Sequence, residues 1–198
     1  MIAKKCLHIA LLPLPFFLLF LIFSFFYYVF IPFAFFSFLF QLFFIFFFRD
    51  VKRNIGNGII SPADGKILYA NGNKISIFMS LFDMHINLMP YDGKIKSMKY
   101  HKGMHKPAYG NVDKNERLEM EIESEIGEMK LVQIAGIFAR RIVPYVKVGD
   151  YVKKGYKIGI IRFGSRVELY LPKNCEIIVK REQKIKAGET VARVIKVI

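Results

Sequence analysis

The stretch Lys66-Ile-Leu-Tyr-Ala-Asn-Gly-Asn-Lys-Ile-Ser-Ile-Phe78 contains two short apolar runs on either side of Asn71-Gly72-Asn73. Alternating apolar, β-branched side chains are typical of strands, and Asn and Gly readily adopt the backbone angles of tight turns. The stretch therefore predicts an antiparallel β-hairpin.

The same pattern of short apolar runs separated by Gly, Asn and Asp continues along the chain. Further strands are predicted over residues 85–89, 94–100, 118–124, 129–134, 141–146, 156–162, 167–171, 176–180 and 190–198. Strands at this spacing predict a mainly β domain, either an antiparallel β-sandwich or a partly closed barrel. Residues 148–155 and 185–191 share a turn-Gly-strand pattern, as in lipoyl-like sandwiches whose halves repeat.

Before this domain lies a long apolar segment. From Leu7 to Phe48 the only ionisable side chain other than tyrosine is His8, and these 42 positions compare with about 20 for one membrane span. Two helices that turn near Tyr27, Tyr28 and Pro32 give a transmembrane α-helical hairpin over residues 1–48. A single tilted span preceded by an interfacial helix stays open as the alternative.

Basic residues flank the apolar segment and predict its orientation. Lys4 and Lys5 precede it, and Arg49, Lys52 and Arg53 follow it. By the positive-inside rule both ends lie in the cytoplasm, which leaves the domain of residues 49–198 on the cytoplasmic face of the cell membrane. The single-span alternative allows the opposite orientation.

Composition separates the two parts further. Residues 1–48 hold 17 of the 21 Phe, whereas residues 49–198 hold 28 Lys and Arg against 16 Asp and Glu, a formal charge of +12. A nucleic-acid partner is disfavoured because the chain offers no basic helix and is predicted to be membrane-bound. Cys6 and Cys175 fall one in each part, which excludes a disulfide framework and favours a reducing compartment.

Polar residues in four stretches are candidates for chemistry. Asp64 lies in Ser61-Pro-Ala-Asp-Gly65, which alone is ordinary turn chemistry. His85, in Phe82-Asp-Met-His-Ile-Asn-Leu-Met-Pro90, is the best available general base, although such a histidine is more often a core residue. Asn115-Glu-Arg117 alone is a loop charge pair.

The fourth stretch is Ile160-Ile-Arg-Phe-Gly-Ser-Arg-Val167. Gly within a strand indicates a bulge or a close approach of backbone. Gly164 has no side chain to block attack on its carbonyl carbon by the hydroxyl of Ser165. Alone, a Gly-Ser pair says little.

In order along the chain, these stretches resemble the phosphatidylserine decarboxylase family in its short, membrane-anchored, archaeal-type (class A) form. The matching pieces are Ser-Pro-Ala-Asp-Gly at 61–65, Phe-Met-Ser-Leu-Phe-Asp-Met-His-Ile-Asn at 78–87 with Pro90 and Gly93, Asn-Glu-Arg at 115–117, Gln-Ile-Ala-Gly at 133–136, Ala-Arg-Arg-Ile-Val at 139–143 and Gly-Ile-Ile-Arg-Phe-Gly-Ser-Arg-Val-Glu-Leu-Tyr-Leu-Pro at 159–172. The resemblance spans nearly the whole β-rich domain.

The resemblance implies a proenzyme that cuts itself between Gly164 and Ser165. An ester of the serine and β-elimination would give a β chain, 1–164, and an α chain, 165–198, which stay together as a heterodimer. Ser165 would become a covalent pyruvoyl group, the pyruvate cofactor, whose ketone forms a Schiff base with the substrate amine and takes up the electrons left by decarboxylation. No metal site is expected.

The implied reaction converts phosphatidylserine to phosphatidylethanolamine and CO₂. His85 is the candidate base and Asp64 the carboxylate that orients it. The longer branch of the family has a second histidine where this chain has Leu88, and Leu-Gly-Ser-Thr in place of Phe-Gly-Ser-Arg. Whether His85 serves self-cleavage, decarboxylation or both is therefore open, and His101 or His105 could contribute.

The expected partners are the membrane and its anionic phospholipid, and a homo-oligomer is left open. Arginine binds phosphate bidentately, although some of the candidates are expected to be ordinary solvated charges. The candidates for the lipid phosphate are Arg140, Arg141, Arg162 and Arg166. An ether-linked lipid, archaetidylserine, presents the same headgroup and is the alternative substrate. A non-catalytic lipoyl- or biotinyl-like module is a second alternative, although Met129-Lys130 lies in a predicted strand and not at the turn such a module needs.

Overall fold

A computed structural model describes residues 1–137 and 141–195 of the chain. Contacts divide the chain into two compact units, Met1–Val51 and Lys52–Ile198.

The first unit is helical. It contains α1 (Leu7–Ala10), α2 (Leu14–Ser24), a 3-10 turn (Tyr28–Phe30) and α3 (Ile31–Phe47). Pro13 separates α1 from α2 because proline has no N–H to continue the helical hydrogen bonding. The stretches Leu7–Ser24 and Tyr28–Phe47 are each long and apolar enough to cross a membrane.

Helices α2 and α3 pack against each other through phenylalanine rings. Ring centroids lie 5.4 Å apart for Phe17 and Phe38 and 5.6 Å apart for Phe20 and Phe33. The amide of Gln41 in α3 donates a 2.8 Å hydrogen bond to the carbonyl oxygen of Ala10. The predicted pair of apolar helices is confirmed.

The chain turns where the sequence predicts, near Tyr27 and Tyr28, and Pro32 lies in the first turn of α3. A proline there costs no hydrogen bond, because the first N–H groups of a helix have no partner within it. The turn itself occupies the residues between Ser24 and Tyr28.

The second unit is built from strands. They are β1 (Ile59–Ile60), β2 (Gly65–Asn71), β3 (Lys74–Met79), β4 (Ile86–Leu88), β5 (Gly93–His101), β6 (Arg117–Ser124), β7 (Gly127–Ala135), β8 (Ile142–Pro144), β9 (Tyr151–Val152), β10 (Lys157–Ile161), β11 (Ser165–Tyr170), β12 (Cys175–Ile177), β13 (Lys184–Ile185) and β14 (Thr190–Val194). The predicted hairpin is β2–β3, with Gly72 at φ +57° in the turn.

The strands form three antiparallel sheets. The largest has the order β13-β2-β3-β11-β7-β6-β5-β9, and the two smaller sheets are β1-β14-β12 and β4-β10-β8. Among the described residues the large sheet is open, with β13 and β9 at its edges, so it does not close into a barrel. The predicted mainly β, antiparallel architecture is confirmed.

A single apolar core joins the three sheets. Buried side chains meet there from the large sheet (Ile77, Leu169), from the β1-β14-β12 sheet (Ile59, Val191) and from the β4-β10-β8 sheet (Ile158). Successive side chains of a strand point to opposite faces, so the longer strands β5 and β6 alternate between this core and the surface, whereas β4 and β10 are buried almost throughout.

The two pattern repeats adopt the same local structure. Gly149 and Gly188 have φ values of +92° and +95°, which a residue with a side chain rarely adopts. In each turn an acidic side chain accepts the N–H of the residue three positions earlier: Asp150 from Lys147 at 2.8 Å, and Glu189 from Lys186 at 3.1 Å. Strands β9 and β14 follow these turns.

Candidate active site

The Gly164–Ser165 peptide lies where the chain passes from one sheet to another. Strand β10 of a small sheet ends at Ile161, and β11 of the large sheet begins at Ser165. The expectation of a bulge within one interrupted strand is therefore wrong. Between the strands Phe163 has φ +65° and Gly164 has φ +55°. A left-handed conformation costs a residue with a side chain about 1 kcal/mol, so Phe163 holds this turn under strain.

The carbonyl oxygen of Gly164 accepts a hydrogen bond from the backbone N–H of Gly136 at 2.9 Å. Strand β7 pairs with β11, and Ala135 lies opposite Ser165, so this bond continues the β7–β11 ladder by one step. A side chain on Gly136 would not fit, because its Cβ would lie 2.4 Å from the Gly164 oxygen. The fold thus directs an N–H donor at the carbonyl that the sequence analysis predicts to be attacked.

Ser165 is fully buried at the start of β11. Its hydroxyl contacts the sulfur of Met79 at 3.3 Å, and the amide nitrogen of Asn87 lies 3.8 Å from the same sulfur. Asn87 accepts a 2.6 Å hydrogen bond from the amide of Gln133. Ser165 and Asn87 therefore both contact the thioether of Met79, and Gln133 holds Asn87 in place.

Asn115 organises the backbone next to Gly136. Its side-chain nitrogen donates to the carbonyl oxygens of Ala135 at 2.7 Å and Lys106 at 2.8 Å. Asn115 is almost fully buried, and the N–H of Ala135 donates to the carbonyl oxygen of Glu116 at 2.9 Å. The Asn-Glu-Arg stretch thus fixes the end of β7.

His85 lies directly before β4 and is 1% exposed. Its Nδ1 is 2.8 Å from the carbonyl oxygen of Asp83. A carbonyl only accepts, so in the neutral ring the proton is on Nδ1 and Nε2 is the basic nitrogen. The His85 carbonyl accepts the N–H of Ile161, which places His85 beside the end of β10, the strand that leads to Gly164.

Asp64 is buried and lies next to the backbone of Met84, the residue before His85. One carboxylate oxygen forms an ion pair with Arg53 and lies 3.4 Å from the N–H of Met84; the other accepts the N–H of Ala187 at 2.8 Å. These contacts hold the backbone that carries His85. The ring itself is oriented through Nδ1 by the Asp83 carbonyl.

The candidate arginines are spread over different places. Arg166 follows Ser165 in β11, so its side chain projects to the opposite face of the sheet, where it pairs with Glu168 at 3.1 Å and donates to Ser76 at 2.6 Å. The N–H of Arg162 donates to the carbonyl oxygen of Arg141 at 3.2 Å, next to the turn before Gly164. Arg140 lies outside the described residues.

A small apolar cavity of about 140 Å³ adjoins the Gly164–Ser165 turn. Gly136 and Gly164 form part of its wall, together with Phe78, Leu81, Tyr109 and their neighbours in the chain. The cavity is therefore adjacent to the peptide bond that is predicted to break.

Two histidines named as further candidates face glutamates. The Nε2 of His101 is 3.7 Å from Glu119, and the Nε2 of His105 is 4.0 Å from Glu116. Sequence reasoning assigned no role to Asn87, Asn115, Gln133 and Gly136, although all four lie in the motifs that carry the family resemblance. The one sequence signal for these four residues is their type, since they are amides and a glycine among apolar neighbours.

Known proteins match this chain over most of its length. The phosphatidylserine decarboxylase family matches residues 40–193. A protein of Archaeoglobus fulgidus, named as an archaetidylserine decarboxylase proenzyme, is 52% identical over 146 residues, which cover 74% of this chain and 75% of that protein. A Methanosarcina barkeri protein with the same name is 44% identical over 154 residues, 76% of each chain.

A bacterial relative extends the comparison. The phosphatidylserine decarboxylase proenzyme of Streptomyces coelicolor is 42% identical over 151 residues, which cover 73% of this chain and 69% of that protein. The fold, the buried Gly-Ser turn and these relatives define a class, decarboxylases that are made as proenzymes. The chain belongs to the phosphatidylserine decarboxylase family. The resemblance inferred from the sequence is confirmed.

Proposed function

We propose that this protein decarboxylates the serine headgroup of phosphatidylserine to give phosphatidylethanolamine and CO₂, with a pyruvoyl group made from Ser165. The observation that carries the proposal is the Gly164–Ser165 turn: a strained backbone, a carbonyl already hydrogen-bonded by Gly136 and a buried hydroxyl. Self-cleavage requires these three features to meet at one peptide bond.

The chain's own residues account for the cutting step. The Ser165 hydroxyl adds to the Gly164 carbonyl carbon and gives up its proton to a base, for which we propose Nε2 of His85. The C–N bond then breaks, and an ester joins residue 164 to Ser165. Elimination across the Cα–Cβ bond of Ser165 frees the chain 1–164 and leaves the precursor of the cofactor at residue 165.

The residues around Ser165 fit a pyruvoyl group. The group has no more side-chain carbon atoms than the serine it replaces, so the buried position of Ser165 can hold it. When formed, the group supplies a ketone that accepts the electrons left when CO₂ departs.

Cleavage also explains how a fully buried position meets its substrate. Once residue 164 is a chain end, Phe163 and Gly164 no longer have to hold their left-handed conformation. We infer that the strained turn relaxes and opens a path from the adjacent cavity to position 165. Arg141 and Arg162, which lie beside this turn, are then the better placed of the candidate arginines for the lipid phosphate.

The two apolar helices support a membrane location. We propose that they cross the membrane as a hairpin and leave the catalytic domain on the cytoplasmic face, with the α and β chains held together through the β11 ladders. A lipid substrate never leaves the bilayer, so this anchor keeps the enzyme beside it.

A second substrate is favoured by the archaeal relatives. Two of them are named as decarboxylases of archaetidylserine, whose tails are ether-linked. The serine headgroup is identical in the two lipids, so the site described above serves either one.

One experiment tests both levels of the proposal. Mass spectrometry of the purified protein should find two fragments, 1–164 and 165–198, the second blocked at its N-terminus. Vesicles containing either the ester-linked or the ether-linked serine lipid then show which substrate loses its carboxyl group as CO₂. A single intact chain that is inactive on either lipid would favour the non-catalytic lipoyl-like alternative.

A further inference from the structure

We propose that Asn115 is a positioning residue for self-cleavage, acting on the Gly164 carbonyl through the Ala135–Gly136 peptide. The inference rests on the proposed function and assigns a role within it to the Asn-Glu-Arg stretch.

Three groups form a continuous chain of hydrogen bonds. The Asn115 amide donates to the Ala135 carbonyl oxygen at 2.7 Å, and the N–H of the same peptide unit, on Gly136, donates to the Gly164 carbonyl oxygen at 2.9 Å. Hydrogen bonds in such a chain polarise one another, because electron density drawn to the Ala135 oxygen leaves the Gly136 N–H more positive. Asn115 thereby strengthens the donor that faces the scissile carbonyl.

This donor matters most when charge develops on the carbonyl oxygen. As the Ser165 hydroxyl adds to the Gly164 carbon, its proton goes to a base and the carbonyl oxygen becomes an oxyanion. Collapse of this intermediate breaks the C–N bond, and the Ser165 nitrogen takes up a proton as the amine. A preorganised N–H at the oxyanion stabilises the intermediate more than the starting amide.

Burial makes the arrangement effective. Asn115 is 1% exposed and Ala135 is fully buried, so water does not screen the hydrogen-bond chain. Asn115 also binds the loop at Lys106, through the carbonyl oxygen at 2.8 Å and the N–H at 3.4 Å. A purely structural role in holding that loop is therefore the competing explanation.

Asn115→Asp tests the hydrogen-bond chain, with the loop followed separately. A carboxylate has nearly the same shape and can still accept the Lys106 N–H, but it can donate to neither the Ala135 nor the Lys106 carbonyl oxygen. When protonated, the aspartic acid donates again, and burial raises the pH at which this happens. Full-length proenzyme is made by cell-free synthesis in lipid nanodiscs, and its conversion to fragments 1–164 and 165–198 is followed at pH 7.5 and pH 5. Amide hydrogen exchange over residues 104–107 accompanies the rate measurement, and slowed cleavage with unchanged exchange there excludes the structural explanation.

The expected result is that cleavage of Asn115→Asp is slower than that of wild type at pH 7.5 by up to about 100-fold, since losing an oxyanion donor outright costs at least that much. At pH 5 the cleavage rate of Asn115→Asp divided by that of wild type should rise towards one. Titration of the base affects both proteins equally, so it cancels when the two are compared at the same pH. A ratio that stays constant between the two pH values overturns the proposal.

A second measurement does not depend on cleavage. No glycine of the chain precedes an alanine, so Ser165→Ala creates a unique Gly-Ala pair. Labelling with carbonyl-¹³C glycine and ¹⁵N alanine gives one NMR signal, that of the Gly164 carbonyl. Addition of Asn115→Ala should shift this carbon upfield as its hydrogen bond weakens, and an unchanged shift overturns the proposal.

The outcomes separate the two levels. If wild-type protein is not cut between Gly164 and Ser165, the proposed function fails. If wild type is cut and Asn115→Asp is cut equally fast at pH 7.5, only the role of Asn115 fails.

Discussion

The hydroxyl of Ser165 lies 3.3 Å from the sulfur of Met79, across the β3–β11 ladder. A thioether is a weak hydrogen-bond acceptor, so this contact positions the serine without binding its proton strongly. The Met79 contact therefore leaves the Ser165 proton available for transfer to a base.

Ser165→Ala should leave an uncut chain of 198 residues without decarboxylase activity. Alanine removes the only atom that can form the ester, while the strand and its ladders stay the same. Gel electrophoresis and intact-mass measurement test this directly. A variant that still splits and still forms phosphatidylethanolamine would show that the cofactor comes from elsewhere.

Gly136→Ala should block self-cleavage, because the new Cβ would lie 2.4 Å from the Gly164 oxygen and must displace it. Loss of one oxyanion donor typically slows a reaction about 100- to 1,000-fold. Gly110→Ala is the matched control, since a Cβ at Gly110 meets nothing closer than 3.7 Å. If Gly136→Ala is processed as fast as Gly110→Ala, Gly136 does not take part in self-cleavage.

His85→Ala should slow self-cleavage or decarboxylation by at least about 100-fold, the usual contribution of a general base. Processing is measured first; if it proceeds, the processed variant is assayed on serine lipid, which assigns the histidine to one step. His101→Ala, whose half-exposed ring faces Glu119, is the control and should act like wild type. Near-normal rates of both steps in His85→Ala would mean that another residue is the base.

The sequence predicts strands well where alternation runs over several residues. The β2–β3 hairpin is the clearest case, since a turn of Gly72 between β-branched runs is a local signal. Strands β1, β9 and β13 have two residues each and carry no such pattern. These strands form because neighbouring strands supply their hydrogen bonds. Such pairing depends on residues distant in sequence, so a short stretch of sequence does not predict it.

The site follows the same division. Local motifs make Asp64, His85 and Ser165 candidates only when the motifs are taken together and in order, because each stretch alone fits an ordinary turn or core residue. The roles inferred for Gly136 and Asn115 depend on backbone hydrogen bonds between segments that are distant in sequence. The sequence also suggested that Asp64 orients the His85 ring, whereas the structure places the Asp83 carbonyl at Nδ1.

Glu119→Gln should lower the stability of the domain at neutral pH but not in acid. Arg117 donates to Glu119 at 2.9 Å and, with smaller effects of Lys130 and His101, lowers the pKa of this carboxyl below its ordinary 4.5, against the opposing effect of burial. Because the pKa is lower in the folded than in the unfolded state, the ionised carboxylate stabilises the fold above pH 4.5. This stabilisation is lost as the pH falls through the folded-state pKa.

The expected loss for Glu119→Gln is about 0.5 kcal/mol at pH 7, as for a partly exposed ion pair, and close to zero at pH 3. Denaturant unfolding of the full chain in detergent measures it. Glu176→Gln, at an exposed position of β12, is the control. An equal loss at both pH values would mean that the Glu119 charge does not contribute.

The membrane hairpin predicts which residues are accessible from each side. Tyr28 is 86% exposed at the turn between α2 and α3, and Lys184 is exposed on β13. With Cys6→Ala and Cys175→Ala as background, a membrane-impermeant maleimide added to intact cells should label Tyr28→Cys. Lys184→Cys should react only after the membrane is permeabilised, because the domain is proposed to face the cytoplasm. Labelling of Lys184→Cys in intact cells would instead support one tilted span with the domain on the outer face.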